Sequence, residues 1–328
     1  MPFANDIDLS KQLLRTVIWG EAKTRKTFWA CMAAEAGFNV ILIDGDDGSQ
    51  IVRQLPSHVQ PKVLVVDVRD LIDRAVFKEF CATFVRAKSF LWNEQTRLAE
   101  FRDFKAENSY IRFTPSKFTP NDVVIFDSWK AFTQSTLLSF AMSNELDLSD
   151  AEKEEWDGYG FQGRFQDFVL KSLHCLRCHV IVIGHSCVYE KWDRRDKKNP
   201  KLLSRKTQLV SSSGPHAGTM WSNFTDILYV ERIGPTNFMI DTAGEMDRVG
   251  GSRLLEPRKY QWDKLPVTDL LSKIGAKATG EKSTGAEWIS SGADIQAAST
   301  AAPVLGTPVI PNRSTGSILA KLTEQKVG

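Results

Sequence analysis

The chain has 328 residues, 42 Lys and Arg against 40 Asp and Glu, a formal net charge of +2, and five Cys. That length can bury one large core or two modest ones, and the composition is that of a soluble globular protein. The near-balance of charge says little about partners and confines any nucleic-acid site to a local patch. No apolar run is long enough to span a bilayer, Met1–Ser10 lacks the regions of a secretory signal, and an odd Cys count in so long a chain points to reduced thiols and a cytoplasmic protein.

In chain order, the first informative element is a short apolar strand, Thr16–Trp19, running into Gly20. Six residues later stand Lys26 and Thr27, followed by a helical run, Phe28–Ala36. Strand, loop, Lys-Thr and helix is the layout of a phosphate-binding P-loop. On that reading the phosphates contact Gly20, Glu21, Ala22, Lys23, Thr24, Arg25, Lys26, Thr27 and Phe28. Lys26 reaches the outer phosphates and Thr27 places a hydroxyl on Mg²⁺. Arg25 stands where the pattern G-x-x-x-x-G-K-[ST] has its second Gly. The plainer alternative is an ordinary strand–turn–helix with a basic turn.

The strand Asn39–Asp44 comes next and runs into Gly45-Asp46-Asp47-Gly48. One of these carboxylates could orient or deprotonate an attacking water; an acidic turn favoured for backbone reasons is the alternative. A strand Lys62–Asp67 precedes a long helix, from about Leu71 to Lys105, with apolar residues at helical spacing (Phe77, Phe80, Phe84, Ala87, Leu91). Val123–Asp127 is an apolar strand ending in Asp127, placed to hold Mg²⁺ with Thr27. The following segment, Ala131–Tyr159, is net acidic. A helix over about Tyr159–Cys175 leads to the strand His179–Gly184, which delivers His185 to the same sheet edge. There His185 could sense a γ-phosphate or merely cap a strand. Cys175 and Cys178 have flanking His174 and His179, but no second ligand pair is visible, and buried cysteines packing as small hydrophobes explain them better than zinc.

Val188–Thr219 is polar and basic and reads as a long loop. Tyr189 and Trp192 interleave with Lys191, Arg194, Arg195, Lys197 and Lys198, a mixture suited to tracking a single-stranded DNA backbone and stacking on its bases. A solvated charged loop is the alternative. Strands Asp226–Arg232 and Asn237–Asp241 form a hairpin around Gly234-Pro235. Residues 1–274 make the folded domain. Residues 275–328 read as a low-complexity, disordered tail in which Ser314–Gln325 is either a short partner-docking helix or a frayed end.

Taken in this order, these pieces resemble the RecA-like ATPases over roughly Leu14–Asp263. Ile43-Asp44-Gly45-Asp46 looks like the segment carrying the catalytic acid, here Asp46. Phe126-Asp127-Ser128 looks like the Walker B Asp-Ser, and Ile183-Gly184-His185 like the nucleotide-sensing strand end. Gly20-Glu21, Lys23, Lys26-Thr27 and His185 most resemble compact phage-type AAA/RecA-like nucleotide-binding proteins, including single-strand annealing recombinases. The resemblance implies an α/β fold with a mainly parallel sheet flanked by helices. It also implies ATP and Mg²⁺ as cofactors, catalysis by Lys26, Asp46, Asp127 and His185, and single-stranded DNA as partner. A homo-oligomeric ring or filament is implied as well, with Arg232, Arg248, Arg258 or Lys259 completing a neighbour's site and Pro2-Phe3-Ala4 as a possible subunit anchor. The function implied is recombination or strand annealing; a helicase or packaging motor, or a nucleotide-gated binding module with little hydrolysis, are the alternatives.

Overall fold

Strands that are apolar at every position must be covered on both faces, and the fold obeys this. The computed structural model describes residues 12–101, 108–146, 155–193, 201–210, 220–235, 237–245 and 248–289. In chain order the elements are β1 (Arg15–Gly20), α1 (Lys26–Cys31), β2 (Asn39–Asp44), β3 (Val63–Asp67), α2 (Val76–Phe84), β4 (Phe90–Asn93), β5 (Leu98–Glu100), β6 (Tyr110–Phe113), β7 (Asp122–Asp127), α3 (Trp129–Ser143), α4 (Glu155–Leu173), β8 (His179–Asp193), β9 (Lys201–Leu209), β10 (Asp226–Arg232), β11 (Phe238–Asp241), β12 (Gly251–Ser252), β13 (Lys259–Gln261), α5 (Val267–Lys273) and β14 (Ala286–Ile289).

The central sheet runs β3-β2-β7-β8-β1-β10 in parallel pairs, then β11 and β13 antiparallel at one edge. This is the mainly parallel sheet flanked by helices expected from the sequence. Its pleat sends alternate residues to opposite layers. Val17, Trp19, Ile41, Ile43, Val124, Phe126, Val180 and Val182 pack with α2, α3 and α4. Ile18, Val40, Leu42, Val123, Ile125, Ile181, Ile183 and Leu228 pack with α1, the 3₁₀ turn Met32–Ala36 and α5. Because the strands are parallel, the C-terminal ends of β1, β2 and β7 and the His185 stretch of β8 open at one edge, where open α/β sheets bind ligands. The expected β10–β11 hairpin is present.

Three expectations are corrected. The helix drawn from Leu71 to Lys105 ends at Phe84. Phe90–Asn93 and Leu98–Glu100 form a hairpin instead, part of a second, antiparallel sheet β14-β6-β4-β5. The aromatic residues that mimicked one helical stripe make a shared cluster: Phe80 of α2 meets Trp92 edge-on at 5.0 Å and Phe113 at 5.4 Å. Asn93, with its side-chain oxygen accepting from the Gln95 and Thr96 amides, shapes the turn that reverses the chain. Second, Val188–Thr219 is not one long loop. β8 continues through Asp193 and pairs antiparallel with β9. Its high charge density masked strand pairing that is stabilised across the ribbon by contacts such as Arg205 with Glu190 at 3.6 Å. Third, residues 275–289 are not a disordered tail. β14 pairs along β6, Ala286 and Ile289 are buried, and Asn121 binds the Glu281 carbonyl at 2.7 Å. Small residues there fit close packing: a Cβ at Gly285 would run into the Phe118 ring. Pro2-Phe3-Ala4 and Ser314–Gln325 lie outside the described residues.

Candidate nucleotide site

The loop between β1 and α1 leaves the strand at Gly20, where φ is +145° and a side chain would run into the Val230 carbonyl of the neighbouring strand β10. Only Gly fits there. Lys23 and Arg25 both sit at φ 59°, in the left-handed region, which costs a non-Gly residue ~1–2 kcal/mol. Arg25 therefore adopts a backbone conformation that Gly would adopt without strain, with its side chain exposed. Local contacts hold the turn. Thr24 Oγ1 donates to the Glu21 carbonyl at 2.9 Å, and the Trp29 amide donates to the Arg25 carbonyl at 3.0 Å. The buried Lys26 Nζ donates to Glu21 O at 2.5 Å, Thr24 Oγ1 at 3.1 Å and Gly20 O at 3.4 Å. Burial lowers its pKa to about 8, against the opposing pull of Asp127, Asp46 and Glu21.

Thr27, the second residue of α1, donates its hydroxyl to Asp127 Oδ2 at 2.6 Å. The two predicted magnesium ligands thus meet across 100 residues of sequence. Asp127 is 3% exposed, and burial raises its pKa to about 6 despite the Thr27 bond, helped by the nearby Asp44 and Asp46. Opposite it stands Gly48, where a Cβ would run into Asp127 Oδ2. A hydroxyl and a carboxylate side by side, both hard oxygen donors, fit Mg²⁺, which commonly takes one or two protein oxygens and completes its shell with water and phosphate. A cation there would also relieve the desolvated carboxylate.

The acid that follows β2 divides its labour. Asp44 is structural: Oδ1 accepts the Asp46 and Gly48 amides at 3.1 and 2.8 Å, and Oδ2 accepts the Ser49 amide at 2.8 Å. Asp46 is left to face the edge. Its Oδ2 lies 3.0 Å from His185 Nε2 and 3.2 Å from Ser128 Oγ. The His185 hydrogen bond is the largest influence on Asp46 and holds its pKa below the ordinary carboxylate value, against the effect of burial. Ser128 also caps α3 by accepting the Ala131 amide at 3.3 Å, so one hydroxyl ties the acid to a helix start. The peptide between Asp127 and Ser128 is cis.

The structure therefore brings Lys26, Thr27, Asp127, Asp46 and His185 to one edge. Three contributors were missed in the sequence. Ser128 was read only as part of a motif, Gly48 only as a turn residue, and Arg69, which bridges Asp47 at 2.8 Å and Asp67 at 2.7 Å, gave no signal. Of the four basic residues proposed to serve a neighbour, Arg232 reaches the loop of its own chain, donating to the Lys23 carbonyl at 3.0 Å. Arg248 is 9% exposed and committed to Glu231, Asp241 and Glu245; Lys259 pairs with Glu231 and Glu245 at 3.1 Å; Arg258 lies over Tyr260.

Of the predicted DNA contacts, Tyr189, Lys191 and Trp192 lie on β8, with Tyr189 partly buried. Arg194, Arg195, Lys197 and Lys198 lie outside the described residues. Ser186–Asp193 pairs with β9 beyond the last β1 and β7 partners of β8, making a two-stranded ribbon about 26 Å long. Val188, Leu202 and Leu203 are exposed on it, beside Arg205. At the Cys-x-x-Cys segment, His179 Nδ1 accepts the Leu14 amide at 2.9 Å and Cys178 is buried as expected, whereas Cys175, expected to be buried, is exposed just past the end of α4. Among the described residues no helix is long and apolar enough to cross a membrane.

No protein-family model and no curated protein matches the chain. Among solved structures the chain is similar to the crystal structure of the RadB recombinase, at 15% identity over 74% of this chain and 88% of that chain, with a TM-score of 0.34.

Proposed function

We propose that this chain is a RecA-like protein of the compact phage type that binds and hydrolyses ATP and binds single-stranded DNA in recombination or strand annealing. The observation that carries the reading is the convergence of the Lys26 loop, the Thr27–Asp127 pair and the Asp46–His185 pair at one sheet edge. Loop amides from Gly20 to Phe28 and the Lys26 ammonium hold the phosphates of ATP. Thr27 and Asp127 hold Mg²⁺, which neutralises charge on the phosphate oxygens when bound. Asp46 orients the attacking water and accepts its proton. His185 and Ser128 fix the Asp46 carboxylate, and His185 stands at the foot of the ribbon. The ribbon, with the basic residues that follow β8 in the sequence, takes the DNA. The protein acts in the cytoplasm as a homo-oligomer, and its last residues serve a protein partner.

Steady-state ATP hydrolysis by the purified chain, with and without single-stranded DNA, is the test. Stimulation by DNA supports the reading. ATP binding without turnover in either condition favours a nucleotide-gated binding module instead, in which Arg25 at φ 59° is the obstructing feature. Lys26→Ala should abolish ATP binding; unchanged affinity in that variant would place the nucleotide elsewhere.

A further inference from the structure

We infer that Arg232 braces the phosphate loop of its own chain, compensating for the missing second Gly. The inference rests on reading the Gly20–Thr27 loop as phosphate-binding. A loop with two non-Gly residues at φ 59° holds its shape only where the surroundings over-determine it. Lys26, Thr24 and Trp29 secure the Gly20, Glu21 and Arg25 carbonyls from within the loop and its helix. The Lys23 carbonyl, at one of the two left-handed residues, is instead taken by Arg232 NH2 from across the sheet.

The position of that guanidinium is built into the topology. β10 lies parallel to β1 with Val230 opposite Gly20, so the chain two residues further on runs beside the loop. Arg232 then pairs in register with Phe238 of β11, and its guanidinium lies 5.6 Å from the centre of that ring. The ring is 8% exposed, so it is a fixed platform. The hairpin therefore grips the loop twice: the Val230 carbonyl closes over Gly20, and Arg232 holds the turn at Lys23. Arg232 is thus a positioning residue acting on the loop backbone.

The test is a double-mutant cycle on the full chain, with the dissociation constant of a fluorescent ATP analogue as readout and a thermal melt of each variant as control. Removing one charge-assisted hydrogen bond in Arg232→Ala should weaken binding about tenfold with little change in melting temperature. Arg232→Lys, which keeps a donor, should lose less. Arg25→Gly relieves one strained residue, so in that background Arg232→Ala should weaken binding by less than about threefold. Wild-type affinity in both Arg232 variants overturns the brace. An equal loss in both backgrounds also overturns it, because it would put Arg232 on the nucleotide itself. Lys26→Ala separates this from failure of the underlying reading: if that variant binds as wild type does, the loop is not the phosphate site, whatever Arg232 shows.

Discussion

At the scale of single residues, the site depends on a few atoms placed by their neighbours. Gly48 is the clearest case. Gly48→Ala should abolish magnesium-dependent hydrolysis while leaving the fold intact, because the added Cβ meets Asp127 Oδ2; normal turnover in a folded Gly48→Ala protein would refute the metal assignment. Ser128→Ala removes one donor from Asp46 and the cap of α3. It should reduce kcat about tenfold with little effect on KM, and cost about 1 kcal/mol of stability. His179 contributes a pH dependence away from the site. It is fully buried, and desolvation pushes its pKa from 6.5 down to about 4. Between those values the unfolded chain binds more protons than the folded one. The contribution of His179 to stability therefore rises with pH across this window and is lost as pH falls from 6.5 towards 4, by up to roughly 3 kcal/mol, while the raised carboxyl of Glu94 works in the opposite direction. His179→Gln keeps an acceptor for the Leu14 amide and should flatten the change in urea midpoint between pH 7 and pH 4.5. An unchanged slope would assign the effect to other groups.

At the scale of elements, β8 is the link between the candidate nucleotide site and the ribbon. Its first part is a core strand and its second part pairs only with β9. The joint is Gly184, over which Leu209 folds into the core beside Trp19; a Cβ there would run into Leu209 Cδ1. Gly184→Ala should destabilise the protein by ~1–3 kcal/mol through overpacking. It should also weaken DNA stimulation of hydrolysis more than ATP binding. Equal effects on both would mean that the ribbon is not coupled through this joint. The element was hard to read from sequence because a ribbon exposed to solvent carries no apolar alternation across its charged residues. The core strands were easy because burial on both faces demands unbroken apolar runs. The segment Leu71–Lys105 misled for the opposite reason: Phe80, Phe84 and Leu91 keep helical spacing, yet Phe80 and Phe84 share a cluster with Trp92 and Phe113 of the second sheet, while Leu91 packs with Tyr110 and Ile289.

At the scale of the whole molecule, the second sheet extends the folded unit past residue 275. β14 covers the edge of β6, and the Glu281 carbonyl is held by Asn39 at 2.8 Å and Asn121 at 2.7 Å. A chain ending at residue 289 should melt as the full chain does. One ending at residue 274 loses the burial of Ala286 and Ile289 and should melt lower by roughly 5 °C or more. Equal melting of the two truncations would show that β14 contributes nothing to the fold.

The sequence by itself determined the strands of the central sheet, the Lys26-Thr27 turn after β1 and the acids at the ends of β2 and β7. Each of these is written locally, as an apolar run ending in a polar or glycine residue. The resemblance already pointed to Asp46 rather than Asp44, but only the tertiary structure supplied the reason, the backbone amides that occupy the Asp44 carboxylate. The contact of Arg232 with a loop 209 residues away was likewise beyond sequence reading. It depends on β10 lying beside β1, and strand order is set by packing between distant segments, which leaves no mark on either segment alone.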